Sequence, residues 1–233
     1  MNVSQDIKNL LRQGTATAWP ICLGYFPLGL ALGVLAQKAG IPWWAVAMMS
    51  ILVFAGSAQF ICIAMLSAGA SPPAIILTTF FINLRHVLMS SALAVHLQGV
   101  SRRFLALFSY GITDESFAAN MTRFREGGWD RRRALVVNHL ANSVWILATV
   151  FGTLIGQFVP HGAMGIDYAL TGMFLGLLAF QLKGRIHILT GLLAAALSVG
   201  WHLMIPGNSY IVGASMSAAT AGYLLKRRRQ EGR

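Results

Sequence analysis

Apolar residues run along this chain in long unbroken stretches. They do not alternate with period two, and they do not form the narrow stripe of a soluble amphipathic helix. Runs at about 16–37, 43–69, 73–97, 134–157, 165–182, 186–205 and 208–225 reach the length at which a helix crosses a bilayer. One further stretch, 104–122, is apolar at its flanks and acidic in its middle (FLALFSYGITDESFAANMT). The pattern predicts an all-α polytopic membrane protein with about seven transmembrane helices, plus a re-entrant or eighth segment at 104–122. No linker or low-complexity tract interrupts it, so residues 1–233 read as a single integral membrane domain.

Composition agrees: 56% of residues are apolar and 11% charged, against about 25% charged in ordinary soluble domains. The net charge of +11 does not point to nucleic acid, because no soluble basic face exists to carry it. Arg and Lys sit instead in short stretches between apolar runs, such as Arg131–Arg133 and the run from Lys226 to Arg229. That is how charge sets membrane orientation. With seven spans and a re-entrant 104–122, 15 basic residues lie inside, with Lys8 and Arg12 outside. With eight spans, 14 lie inside and 3 outside. Both counts obey the rule and both place the C-terminus in the cytoplasm. Thr15 to Gln37 is longer than a signal-peptide core and contains Pro20 and Pro27, so it reads as a retained first span.

Within the runs, Pro20, Pro27, Gly24, Gly29 and Gly56 are candidate interruptions of the kind that expose backbone groups in transporters, though both residues are also common in ordinary membrane helices. Gly29/Gly33, Gly152/Gly156 and Gly172/Gly176 have the spacing of close helix contacts. In 134–157, Asn138, Asn142, Trp145, Thr149, Gly152 and Gly156 fall on one helical face, which either packs on other helices or lines a cavity. Cys22 and Cys62 lie inside apolar runs, with no disulfide or metal spacing, and read as packing residues.

The chemistry concentrates in few residues. Arg85 and His86 stand near the centre of the third run, where a charge costs about 2.5–3.5 kcal/mol even on the milder scale. Asp114 and Glu115 stand at the centre of 104–122. Gln59, Asn83 and Asn142 add neutral polarity. An Arg–carboxylate pair satisfies the guanidinium but leaves a second carboxylate to be balanced by a proton, by His86 or by a cationic group on a ligand. A structural pair alone is the plainer alternative. A zwitterion needs an acceptor for its ammonium and a donor for its carboxylate, and Arg85 with Asp114 or Glu115 supplies both. The candidate substrate-binding set is therefore Arg85, Asp114, Glu115, Gln59, Asn83 and Asn142. The proton-coupling set is Asp114, Glu115 and His86. An intramembrane enzyme is the minor alternative: the second aspartate in another run is Asp167, near an edge, a Ser57–His86 pairing has no supporting context, and neither a metal motif nor a cofactor is called for.

Residues 54–60 (FAGSAQF), 83–86 (NLRH) and 111–118 (GITDESFA), in this order, resemble the AzlC family, the large subunits of bacterial branched-chain amino acid exporters. The likeness covers roughly residues 15–205. It implies a multi-pass protein of the bacterial cytoplasmic membrane that exports valine, leucine, isoleucine and often methionine, with a small AzlD-type membrane subunit as partner. Proton antiport is the expected drive, and self-association stays open. Another small zwitterion or organic solute as cargo, or a role as assembly subunit, are the alternatives.

Overall fold

The computed structural model describes residues 3–160, 168, 171–172, 175, 178–179, 184–204 and 209–231. Every long regular element among them is an α-helix: α1 (Val3–Lys38), α2 (Trp43–Leu52), α3 (Gly56–Ser67), α4 (Pro72–Ala94), α5 (Arg102–Tyr110), α6 (Asp114–Glu126), α7 (Arg131–Ile155), α8 (Arg185–Met204) and α9 (Ser209–Glu231). The helices α1, α4, α7 and α8 are long and apolar enough to cross a membrane. Chain-distant contacts divide the protein into two compact units, Met1–Gly69 with Ile82–Ala169, and Ala70–Phe81 with Leu170–Arg233. In the second, α8 and α9 lie side by side, and a Cβ on Gly222 would overlap the Thr190 hydroxyl. Of the run at 165–182, only residues 168, 171–172, 175 and 178–179 are described.

The frame of the first unit is the pair α1 and α7, which run in the same direction. Gly14 packs on Val136 at one end and Gly156 on Gln37 at the other. Between them, a Cβ on Gly33 would overlap the Thr149 carbonyl oxygen, and one on Gly152 the Leu30 carbonyl oxygen. Two of the three glycine pairs therefore do what their spacing predicts. Gly176, in the third pair, lies outside the described residues. Pro20 and Pro27 do not break α1, which continues through both.

The run 43–69 differs from its reading as one span. It is two short helices, α2 and α3, separated at Val53–Ala55, where Phe54 takes a φ of +36°. A left-handed conformation is rare for a bulky side chain. The chain folds back here: Gln59 Nε2 donates to Ser50 Oγ at 3.0 Å, whereas nine residues of straight helix span about 13.5 Å. The segment 104–122 behaves likewise. Asn138 of α7 donates to the Phe108 carbonyl at 3.1 Å and accepts from Asn120 at 2.9 Å, so residues twelve apart flank one side chain. The ends also come together: Arg131 donates to the Gln98 carbonyl at 3.3 Å, and His96 stacks on Phe124 at 4.7 Å. Of the two readings for 104–122, the re-entrant hairpin is the one found.

The two hairpins enter from opposite ends of α7. Gly40–Trp43, where α2 begins, border a cleft with Thr153, Leu154 and Gln157. The open end of α5–α6 lies by Arg131. Their tips meet midway, where Tyr110 donates to the Ile51 carbonyl at 2.5 Å. Because 43–69 folds back, Lys8 and Arg12 at the start of α1 lie at the same end as Arg131–Arg133, not opposite the arginines as the re-entrant sequence count had them. The polar stripe on α7 now has a purpose. Asn138 holds both arms of α5–α6, while Trp145 and Thr149 hold both arms of α2–α3.

Candidate functional site

The site forms where the tips meet. Asp114 is the first residue of α6, Ser57 the second of α3, and Arg85 lies in α4 opposite both. Arg85 Nη1 pairs with Asp114 Oδ2 at 2.7 Å, and Nη2 donates to Ser57 Oγ. One guanidinium thus bridges the two hairpins. About a quarter of each charged side chain stays accessible, 29% for Arg85 and 26% for Asp114, so the pair is reachable rather than sealed in the core.

Glu115 points elsewhere. Tyr25, from α1, places its hydroxyl 2.6 Å from Glu115 Oε2 and 2.7 Å from Thr113 Oγ1. Thr113 caps α6: its hydroxyl accepts from the Ser116 amide at 3.3 Å while Ser116 Oγ accepts from the Thr113 amide at 2.9 Å. Consecutive helical residues diverge by about 100°, so the two carboxylates take different partners. The structure assigns Asp114 to Arg85 and leaves Glu115 with a neutral partner.

A cavity of about 230 Å³ adjoins the site. Its walls come from both tips, Val53–Ala55 and Ser109, Tyr110 and Ile112, and from Asn83 and His86 of α4. His86 Nδ1 lies 3.1 Å from the Asn83 carbonyl. Three buried polar atoms in this part of the fold have no hydrogen-bond partner among the described residues: Asn83 Oδ1, Arg85 Nε and Asn142 Nδ2. Such groups are costly to leave unmade.

Gln59 sits apart from this cluster. It is 1% exposed, its amide nitrogen donates to Ser50 and its oxygen accepts from Trp145 at 2.8 Å. Both ends are engaged inside the α2–α3 hairpin. Asn142 lies behind the tip of α5, with Oδ1 3.5 Å from the Tyr110 hydroxyl. Of the residues picked from sequence, Arg85, Asp114, Asn83 and His86 gather at the cavity or on the ion pair. Glu115 stands one residue away, and Gln59 and Asn142 brace the hairpins. Sequence reasoning missed Tyr25, Ser57 and Thr113. A signal existed for the last two. Ser57 lies within the FAGSAQF stretch, and a threonine three residues before a serine, ahead of two acids, is a helix-start pattern.

The family description "AzlC protein" matches residues 20–159, which is α1 from Pro20 through α7, both hairpins included. The chain belongs to the AzlC family. Similar proteins include an uncharacterized membrane protein of Archaeoglobus fulgidus, 31% identical over 93% of this chain and 94% of the relative. The branched-chain amino acid transport protein AzlC of Bacillus subtilis is 28% identical over 93% of this chain and 85% of its own length. The inner membrane protein YgaZ of Escherichia coli is 28% identical over 80% of each. No solved structure matches the chain. With the family match and a transport protein among its relatives, this chain is a membrane transporter of that family.

Proposed function

We propose that this AzlC-family protein exports the branched-chain amino acids valine, leucine and isoleucine, with methionine as a further unbranched substrate, across the cytoplasmic membrane in exchange for protons. The observation that carries the reading is the charge inventory at the meeting tips: one arginine, two carboxylates with different partners, and a cavity alongside. In this reading Arg85 receives the substrate carboxylate. No side chain caps α3, so the amide groups of its first turn face the same anion with the positive end of the helix. Asp114, released from Arg85, receives the ammonium. Asn83 Oδ1 offers a further acceptor, and Asn142 and Gln59 hold the hairpins around the site. Glu115 is the proton carrier, and His86, on the cavity wall, is a second titratable group of the site. The apolar cavity walls accept an aliphatic side chain, and discrimination of about 1–3 kcal/mol per methylene explains a broad aliphatic range.

Two hairpins entering from opposite ends suit alternating access, since each obstructs the site from one side. The end bearing Lys8, Arg12 and the seven arginines between 102 and 133 is cytoplasmic by the positive-inside rule, with only Lys38 at the other end of α1. The C-terminal basic run is read as cytoplasmic by the same rule. A small AzlD-type subunit completes the exporter as one transport unit.

The test is efflux of labelled leucine from vesicles holding the purified chain, alone and with its small partner, against an imposed pH difference. Efflux should follow the pH difference and fall to background in Arg85→Ala. Glu115→Gln should keep leucine exchange and lose the response to pH. Efflux that follows sodium or membrane potential alone contradicts antiport. A second cargo reading, another small zwitterion, draws on the polar cavity wall of Asn83, His86 and Ser109. A competition panel of polar and aliphatic amino acids decides between the two.

A further inference from the structure

Resting on Glu115 as the proton carrier, we infer that Tyr25 couples the charge of Glu115 to the cap of α6, through a hydrogen-bond chain Glu115–Tyr25–Thr113 that reverses direction on proton uptake.

The Tyr25 hydroxyl lies 2.6 Å from Glu115 Oε2 and 2.7 Å from Thr113 Oγ1. A phenol has a single hydrogen to donate, so it serves one neighbour at a time. When Glu115 is ionised it is acceptor-only. The Tyr25 hydrogen then goes to Glu115 Oε2, and the Thr113 hydroxyl is free to donate to Tyr25. When Glu115 binds a proton, its own O–H donates to the Tyr25 oxygen. The Tyr25 hydrogen turns to Thr113 Oγ1, and the Thr113 hydrogen must leave that contact. No bond is made except the carboxyl O–H, and no other proton is lost or gained.

The reversal ends on a structural element. Thr113 Oγ1 holds the Ser116 amide, and Ser116 Oγ donates to the Gly111 carbonyl at 3.2 Å. Gly111 lies at the turn of the hairpin, with Asn138 packed so closely that a Cβ on it would approach within 2.7 Å. The proton on Glu115 is therefore read two side chains away, at the turn that joins α5 and α6. Tyr25 is held to one position for this task. It is 6% exposed, and its ring packs edge-on against Trp145 at 5.2 Å and Phe54 at 6.3 Å. The group adjacent to Glu115 on α6 is Asp114; the ionisable groups of α4 in this part of the fold are Arg85 and His86, the latter on the cavity wall. Arg85 is engaged with Asp114 and Ser57. From α7 the residue facing Tyr25 is the neutral Trp145.

The experiment compares two modes of leucine transport in vesicles containing the full chain. Counterflow at equal pH needs no net proton movement, whereas accumulation against a pH difference does. Tyr25→Phe should lower the ratio of pH-driven accumulation to counterflow by about tenfold and displace the pH midpoint by about one unit, the scale of one hydrogen bond to a charged group. Thr113→Val should lower the ratio similarly while keeping the wild-type midpoint, and Thr113→Ser should restore it. The Thr113 variants carry the test alone should Tyr25→Phe not fold. A parallel fall in both modes marks a merely structural role and overturns the inference. So does an unchanged ratio in a folded Tyr25→Phe or Thr113→Val protein. A wild type indifferent to the pH difference overturns the antiport reading, and this inference with it. A coupled wild type with unaffected variants overturns this inference alone.

Discussion

The two hairpins share a plan and differ in chemistry. Each is a pair of short helices that folds back near mid-depth and is clasped by one part of α7. The tip of α2–α3 is apolar and uncapped, made of Val53, Phe54 and Ala55. The tip of α5–α6 is capped on both sides by Thr113 and Ser116 and begins its second helix with two acids. One helix start therefore keeps its positive end for an anion, while the other is already neutralised by its own carboxylates. Arg85 joins the two. In the proposed reading, unlike helix starts placed together suit a molecule carrying both charges.

The long helices before them repeat the comparison. α1 runs toward the Gly156 end of α7 and leads into α2–α3. From Arg85 onward, α4 runs toward the Arg131 end and leads into α5–α6. A helix followed by a hairpin thus occurs twice in opposite sense, an inverted arrangement of the kind transporters use.

The largest expected effect comes from cutting the joint. Arg85→Ala strands Asp114 without a counter-charge. A buried pair broken this way costs about 3–5 kcal/mol, and partial exposure here lowers that to about 2 kcal/mol. Melting in detergent should show the loss. Asp114→Asn in the same chain should recover most of it, and Glu115→Gln should not. Equal recovery by both acids would mean that the hairpins do not distinguish them.

A smaller effect separates the two turns. A Cβ at Gly111 meets Asn138 Cβ at 2.7 Å, whereas one at Gly56 meets the Trp145 ring edge at 3.0 Å. Overpacking of this kind costs about 1–3 kcal/mol, and an indole edge yields more readily than the base of a side chain bonded to both arms. Gly111→Ala should therefore lower the melting temperature more than Gly56→Ala. The reverse order would contradict the role given to Asn138.

The smallest effect concerns the caps, and it has opposite signs at the two tips. Thr113→Ala removes a cap and should cost about 1 kcal/mol. Ala55→Ser supplies one and should stabilise by a similar amount, yet weaken leucine binding, because the new hydroxyl occupies amides that a substrate carboxylate would use. Thermal melting and equilibrium leucine binding measure the two sides. Gains in both stability and binding would remove α3 from the site.

Much of this was legible in the amino-acid sequence, for identifiable reasons. The α7 stripe shows because helical spacing is rigid and its polar residues stand out against Leu147 and Leu154, which are exposed. The ion pair shows because a lone arginine at membrane depth demands an acid, and 104–122 carries its acids at its centre, whereas Asp167 sits at the edge of its run. Which acid was not legible, since adjacent positions differ only in direction around the helix. The fold-back at Phe54 was not legible either. Val53, Phe54 and Ala55 continue the apolar run, so hydropathy passes over a reversal that resides in one backbone angle and in the clasp of Ser50, Gln59, Trp145 and Thr149. Tyr25 looked like any aromatic in an apolar run until Glu115 was placed beside it.

The central claim is that two hairpins enter from opposite faces and meet at one site. Single cysteines at Gly40, Gly69, Ser101 and Gly127, in a chain with Cys22 and Cys62 replaced, test it directly through labelling by an impermeant thiol reagent in oriented membranes. Positions 40 and 69 should react from outside, and positions 101 and 127 from the cytoplasm. Positions 40 and 69 reacting from opposite faces, or 101 and 127 doing so, would contradict it.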